Sequence, residues 1–227
     1  MKKIAVVLMS GGMDSALCAA IALKQGYEVA ALHLNYLHRT QEREERAFNE
    51  ICDYYGISHR LVVDVNYFRQ IGGSSLTDLQ IDVPKAKFDK NEIPNTYVPF
   101  RNGNILAIGA SWAETLGAEA IYIGAVEQDS SGYPDCREDF FRAFEQALNL
   151  GTKPDTHIKI VTPIIHLSKK EIVQKSILLN VPLYLTWSCY SNEDAACGEC
   201  ESCLLRLRGF EQAGYIDPIR YVNKANE

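Results

Sequence analysis

Ser10-Gly11-Gly12-Met13-Asp14-Ser15 follows the apolar run Ile4–Met9 and leads into a helical pattern, Leu17, Ala20, Ile21 and Lys24, closed by Gly26. The order is strand, glycine turn, helix start. Adjacent glycines allow a positive φ and bring backbone N–H groups close to a ligand with no Cβ in the way. The helix that follows aims its unpaired N–H groups and positive dipole end at the same point. Ser10 and Ser15 add hydroxyl donors. The stretch therefore reads as an anion site. Asp14 fits it either as a helix cap or as a partner of magnesium. The Walker phosphate loop, G-x-x-x-x-G-K-[ST], is excluded because the lysine is missing. A generic strand-to-helix turn is the bland alternative.

Outward from that loop, strands and helices alternate. Tyr27–Asn35 is a near-continuous apolar run, as a strand buried on both faces of a parallel sheet requires. Gln41–Tyr55 reads as an amphipathic helix and His59–Val65 as a third strand. Residues 66–98 break the rhythm with Gly72-Gly73, Pro84, Pro94 and lysines 85, 87 and 90, and read as a lid, an interface loop or a surface excursion. Val98–Asn104 opens a helix that runs to Leu116, and Ala120–Gly124 is a short buried strand. A polar loop follows. Arg137–Leu150 is a helix with Phe140, Phe141, Phe144 and Ala147 inward, and Ile158–Thr162 is a last strand. Ser168-Lys169-Lys170-Glu171 is a capping box, in which both lysines read as first-turn surface residues. The expected fold is α/β, a doubly wound, mostly parallel sheet of Rossmann-like type. Residues 1–185 would form this domain, with 66–98 as a long loop insertion.

Cys189, Cys197, Cys200 and Cys203 have the spacing C-x7-C-x2-C-x2-C. Short loops let four thiolates converge on one tetrahedral ion, with Gly198 turning the chain between the second and third ligands. Four thiolates close the shell, so zinc would be structural. An iron–sulfur cluster is the competing occupant. Residues 186–227 would form this small helical, zinc-bound subdomain. The other apolar cysteines, Cys18 and Cys52, read as core. A net charge of −6 argues against direct nucleic-acid binding. No secretory leader or membrane span is expected, which points to the cytoplasm.

The glycine loop resembles the S-G-G-x-D-S loop of ATP pyrophosphatases, which transfer AMP to a substrate oxygen and hold the displaced pyrophosphate. Ser10–Ser15, Val98–Asn102, Ser131-Gly132-Tyr133-Pro134-Asp135-Cys136-Arg137 and Trp187-Ser188-Cys189-Tyr190 with the later cysteines occur in this order. Together, to about Tyr221, they resemble the 7-cyano-7-deazaguanine synthase family. The resemblance implies a ligase that joins 7-carboxy-7-deazaguanine to ammonia with two ATP, through adenylated acid and amide, giving a nitrile for queuosine. It implies ATP with magnesium as cosubstrate and one zinc per chain. Leu8, Met9, Ser10, Gly11, Gly12, Met13, Asp14, Ser15 and Leu34 would hold ATP, with pyrophosphate in the loop and adenine against Leu8 and Leu34. Asp14, Arg101 and Asp129 would be catalytic, Arg101 as a phosphate or carboxylate clamp. Asn102, Tyr133, Asp135 and Arg137 would face the substrate. Cys136 would be a wall, not a nucleophile.

The chain departs from the family pattern at two places. Tyr36-Leu37-His38-Arg39 stands where Tyr-Gly-Gln-Arg is common, and Phe100 replaces a small residue. The first is expected to change the loop's shape. Both leave room for a relative that uses another amine. A sulfur transferase and a non-catalytic nucleotide sensor are further alternatives, and a homodimer is left open.

Overall fold

The computed structural model of the protein describes residues 2–78, 80–83, 93–127 and 132–222. The lysines at 85, 87 and 90, and the candidate Asp129, lie outside the described residues.

Five strands, β1 (Ile4–Leu8), β2 (Glu28–Asn35), β3 (His59–Asp64), β4 (Ala120–Ile123) and β5 (Lys159–Val161), form one sheet in the order β3-β2-β1-β4-β5. Every pairing is parallel, with Val6 opposite Ala30 on one side and Ile121 on the other. The helices are α1 (Met13–Lys24), α2 (Gln41–Tyr55), α3 (Tyr67–Ile71), α4 (Arg101–Leu116), α5 (Glu138–Gly151), α6 (Lys169–Leu178) and α7 (Glu201–Ala213).

Strand alternation divides the core into two layers. Ala5, Val7, Ala31 and Tyr122 face α1, α2, α6 and α7, and Val6, Leu32, Ile121 and Ile123 face α4 and α5. The sheet is thus covered on both faces, as the apolar runs require. Each fully buried Val, Leu or Ile contributes about 1.5–3 kcal/mol. The α5 face differs by one residue from expectation. Ala147 is exposed, while Phe141 and Leu148 are buried and Phe140 and Phe144 pack half-buried. Leu148 follows Phe141 at two helical turns, whereas Ala147 falls to the solvent side.

Strand order reverses at β1, so the crevice past the ends of β1 and β4 is the topological switch point, where open α/β sheets bind ligands. The 66–98 segment is stitched at its described ends. The Ser75 N–H donates to the Asn95 carbonyl at 2.8 Å, and the Arg39 guanidinium donates to the Ser75 and Ile81 carbonyls at 3.1 and 2.8 Å.

Candidate active site

The glycine loop closes β1 and starts α1 at the switch point. Gly11 has φ +84, but Gly12 is extended at φ −82, so the turn uses one left-handed glycine rather than two. Gly11 also sits where a Cβ would lie 2.6 Å from the Glu44 carbonyl, which seats the loop directly on α2. Gly124 does the same at the end of β4, where a Cβ would lie 2.9 Å from the backbone of Asp14 and Ser15. Ser15 Oγ donates to the Gly12 carbonyl at 3.0 Å, and Ser10 Oγ accepts from the Gly12 N–H at 3.3 Å.

Asp14 is not the helix cap. Gly12 holds the cap position without a side-chain bond, and Asp14 sits in the first turn. Its Oδ2 accepts from the Lys169 ammonium at 2.5 Å, and its Oδ1 is buried without a hydrogen-bond partner. Lys169 is therefore not a surface residue. The capping box at Ser168 and Glu171 is present, but Lys169 turns into the crevice with a side chain only 13% exposed. Gly209 of α7 permits this, because a Cβ there would lie 2.9 Å from the Lys169 Cβ.

A cavity of about 280 Å³ opens over the loop. Leu8, Met9, Ser10, Gly12, Met13, Asp14, Ser15, Leu34, Arg101, Asn102, Tyr133 and Cys136 line it, and Gly11 lies just outside it against α2. Arg101 donates to the Tyr36 hydroxyl at 3.2 Å, and among the described residues it makes no ion pair that would use up its charge. Tyr133 shares a 2.9 Å hydrogen bond with Thr96 and packs on the Tyr97 ring at 5.5 Å.

Two candidates face elsewhere. Asp135 is buried and accepts from the Asn102 N–H at 2.9 Å, so it caps the start of α4 and fixes Arg101 and Asn102. Burial raises its carboxyl above the ordinary range. Arg137 is exposed at the start of α5. Burial pushes the Cys136 thiol up to about 11, which leaves it a neutral wall residue.

Several groups at the cavity escaped sequence reasoning. His33 lines it from β2, 1% exposed, with Nδ1 2.8 Å from the Met9 carbonyl, its ring stacked on Phe48 and its Nε2 unpartnered. Burial lowers its pKa, so it is neutral near pH 7. Glu44 lines the same wall from α2, and its Oε2 lies 3.1 Å from His38 Nε2. Burial opposes the Glu44 charge, but the neighbouring His38, His33 and Arg101 outweigh it and hold the carboxyl below its usual range. The Tyr36 ring stacks on His38 at 4.2 Å. A helical pattern marks Glu44 only as one charge among many on α2. For His33, a polar residue inside an apolar strand was the one available signal.

The four cysteine sulfurs lie within 4.8 Å of one another. A tetrahedral ion with sulfur at about 2.3 Å needs sulfurs about 3.8 Å apart, and Cys197 and Cys203 are 3.9 Å apart. Backbone N–H groups of Ser191, Asn192 and Cys197 point at Cys189 Sγ, and those of Glu199 and Cys200 at Cys197 Sγ. Such donors favour thiolate, so the residues fit a metal. Gly198 has φ +76 between the second and third ligands. The cluster is joined to the glycine loop, since the Trp187 N–H donates to the Gly11 carbonyl at 2.9 Å.

A family model described as queuosine biosynthesis protein QueC matches residues 4–214. A 7-cyano-7-deazaguanine synthase from Nautilia profundicola is 58% identical over 224 residues, 99% of this chain and 100% of that one. One from Campylobacter curvus is 58% identical over 223 residues, 98% and 99% of the two chains. Among solved structures, a 4-thiouridine synthetase–RNA complex with bound ATP aligns with a TM-score of 0.51 at 19% identity, over 93% of this chain and 53% of that chain. A protein from Methanocaldococcus jannaschii, described as a predicted subunit of tRNA methyltransferase, aligns with a TM-score of 0.50 at 17% identity, over 95% and 92%. These structural likenesses concern the fold.

Proposed function

Because the chain belongs to the queuosine biosynthesis protein QueC family, we infer that its cavity activates a deazaguanine carboxylate with ATP and turns it into a nitrile. The protein is an ATP-dependent ligase of queuosine biosynthesis that forms 7-cyano-7-deazaguanine. The observation that carries this reading is the extent of the match, which includes both the glycine loop and all four clustered cysteines.

A carboxylate resists an amine until its oxygen becomes a good leaving group, and adenylation supplies one. A second adenylation, on the amide oxygen, lets that oxygen leave as AMP. No covalent enzyme intermediate is needed, so positioning and charge stabilisation carry the acceleration. We assign the pyrophosphate to Ser10, Gly11, Gly12 and Ser15, beside the start of α1. Lys169 joins them as the cation that the loop itself lacks. Asp14 would hold magnesium through its unpartnered Oδ1. Leu8 and Leu34 flank the adenine, with Met9 and Met13 beside them. Arg101 clamps the carboxylate or α-phosphate, Asn102 and Tyr133 face the base, and Asp135 acts through α4. Asp129 completes the expected catalytic set, and Arg137, exposed at the start of α5, stays outside the cavity.

The cysteine cluster takes one structural zinc in this reading, with residues 186–227 as the unit built around it. Ammonia is the amine, and the cytoplasm is the compartment. No helix among the described residues is long and apolar enough to cross a membrane. A homodimer is tested by light scattering.

The deciding assay contains the protein, ATP, magnesium, ammonium and 7-carboxy-7-deazaguanine, with products read by mass spectrometry. Nitrile with AMP and pyrophosphate is expected. Absence of AMP overturns the ligase reading, and adenylated acid without amide overturns ammonia as the amine.

A further inference from the structure

We propose that His33 is the base of the amine-transfer step and that Glu44 holds ammonia beside it, an inference that rests on the ligase reading above with ammonia as the amine. The α2 side of the cavity offers acceptors to a ligand, whereas the α4 side offers the Arg101 guanidinium. A carbonyl can only accept, so the 2.8 Å contact with Met9 puts the His33 proton on Nδ1. Nε2 is then a bare acceptor, buried and without a partner. Glu44 is the second acceptor on this wall, with its Oε2 3.1 Å from His38 Nε2 and its Oε1 accepting from the Thr40 hydroxyl at 3.4 Å. A buried acceptor without a donor is unfavourable. A ligand that completes this wall brings N–H donors.

Ammonia has three N–H donors and one lone pair. With N–H groups on Glu44 and His33, the lone pair is left to attack. Tyr36 links this wall to the clamp, since its ring packs on His38 and its hydroxyl accepts from Arg101. An acyl group held by Arg101 would thus face an amine held by Glu44. In the step, the nitrogen lone pair forms the N–C bond and the C–O bond to AMP breaks, its pair leaving on the AMP oxygen. The surplus proton on nitrogen passes to His33 Nε2 and then to solvent. The Met9 carbonyl orients the ring, and the Glu44 anion stabilises the imidazolium.

The test separates adenylation from amine transfer. Hydroxylamine is nucleophilic without a base and traps adenylated acid as hydroxamate. His33→Asn keeps a donor for Met9 and removes the Nε2 acceptor. Its amide rate is expected to fall at least about a hundredfold relative to its hydroxamate rate, the scale of general-base loss. Glu44→Gln is expected to raise the ammonium KM about tenfold with a smaller change in the KM for ATP. An unchanged amide-to-hydroxamate ratio in His33→Asn overturns the proposal. Where the ratio is unchanged because both rates fall equally, His33 belongs to ATP binding or folding, and circular dichroism tells those two apart. A wild-type enzyme that gives hydroxamate but no amide refutes ammonia itself, and one that gives neither refutes the ligase reading.

Discussion

Leu37 has φ +59 and Phe100 has φ +53, two of three non-glycine residues in the left-handed region among the described residues. They occupy the two positions read from the sequence as departures from the family pattern. The loop at 36–39 therefore keeps a glycine-like backbone and carries the strain, with the Leu37 N–H donating to Gln41 Oε1 at 2.7 Å. A non-glycine residue here costs about 1–2 kcal/mol, partly offset by glycine's freedom in the unfolded chain. Leu37→Gly, at a half-exposed position, is expected to stabilise by about 1 kcal/mol in a denaturant titration. Phe100→Gly gains less, because Phe100 packs edge-on to Phe140 at 5.7 Å and covers Gly103. The sequence marked both positions as departures, but only backbone angles show that they share one cost.

His33 sets a pH dependence at the same scale. Its folded-state pKa lies below the ordinary 6.5, because burial disfavours the cation. Below about 6.5 the unfolded chain binds the extra proton, so stability falls as pH drops, by at most about 1.4 kcal/mol per pH unit for one group. Glu44, held below its ordinary 4.5, adds a further loss at lower pH. Melting temperatures measured from pH 7 to 5 should fall for the wild type and flatten for His33→Asn.

Among elements, α6 and α7 carry the contact that no local pattern reveals. Gly209 brings the α7 backbone against Lys169, which in turn reaches Asp14 at the start of α1. Gly209→Ala would place a Cβ 2.9 Å from the Lys169 Cβ and 3.1 Å from its carbonyl oxygen. Backbone has to move, so the expected cost is about 1–3 kcal/mol in the denaturation midpoint. The KM for ATP should rise as well, since Lys169 is displaced from the loop. A variant with normal stability and normal ATP kinetics would refute this arrangement.

At the scale of the whole molecule, the cysteine cluster and the glycine loop are one construction. Trp187 bonds Gly11, and Cys200 and Cys203 start α7. Arg206 of α7 makes a buried bidentate pair with Asp217 at 2.7 and 2.9 Å and donates to Thr186 at 2.7 Å. Phe210 of α7 reaches the main core. Metal binding is part of folding where thiolates must converge. Chelation should therefore lower the melting temperature, open residues 186–203 to protease and weaken ATP binding together. An apo-protein with unchanged melting and ATP affinity would separate the two sites.

The amino-acid sequence alone determined the glycine loop, the alternation that yields a parallel sheet, the capping box at Ser168 and the spacing of Cys189, Cys197, Cys200 and Cys203. These are local features: apolar periodicity reports burial on a face, and short spacings bring ligands together whatever lies around them. The tertiary structure decided the rest. Asp14 meets Lys169 across 155 positions of sequence, and His33 and Glu44 share a wall because β2 and α2 both pack beside the loop. Asp135 turns to α4 rather than to the cavity. Crossovers and helix packing set those meetings, and a side chain's direction into a crevice is fixed only when the elements around it have docked.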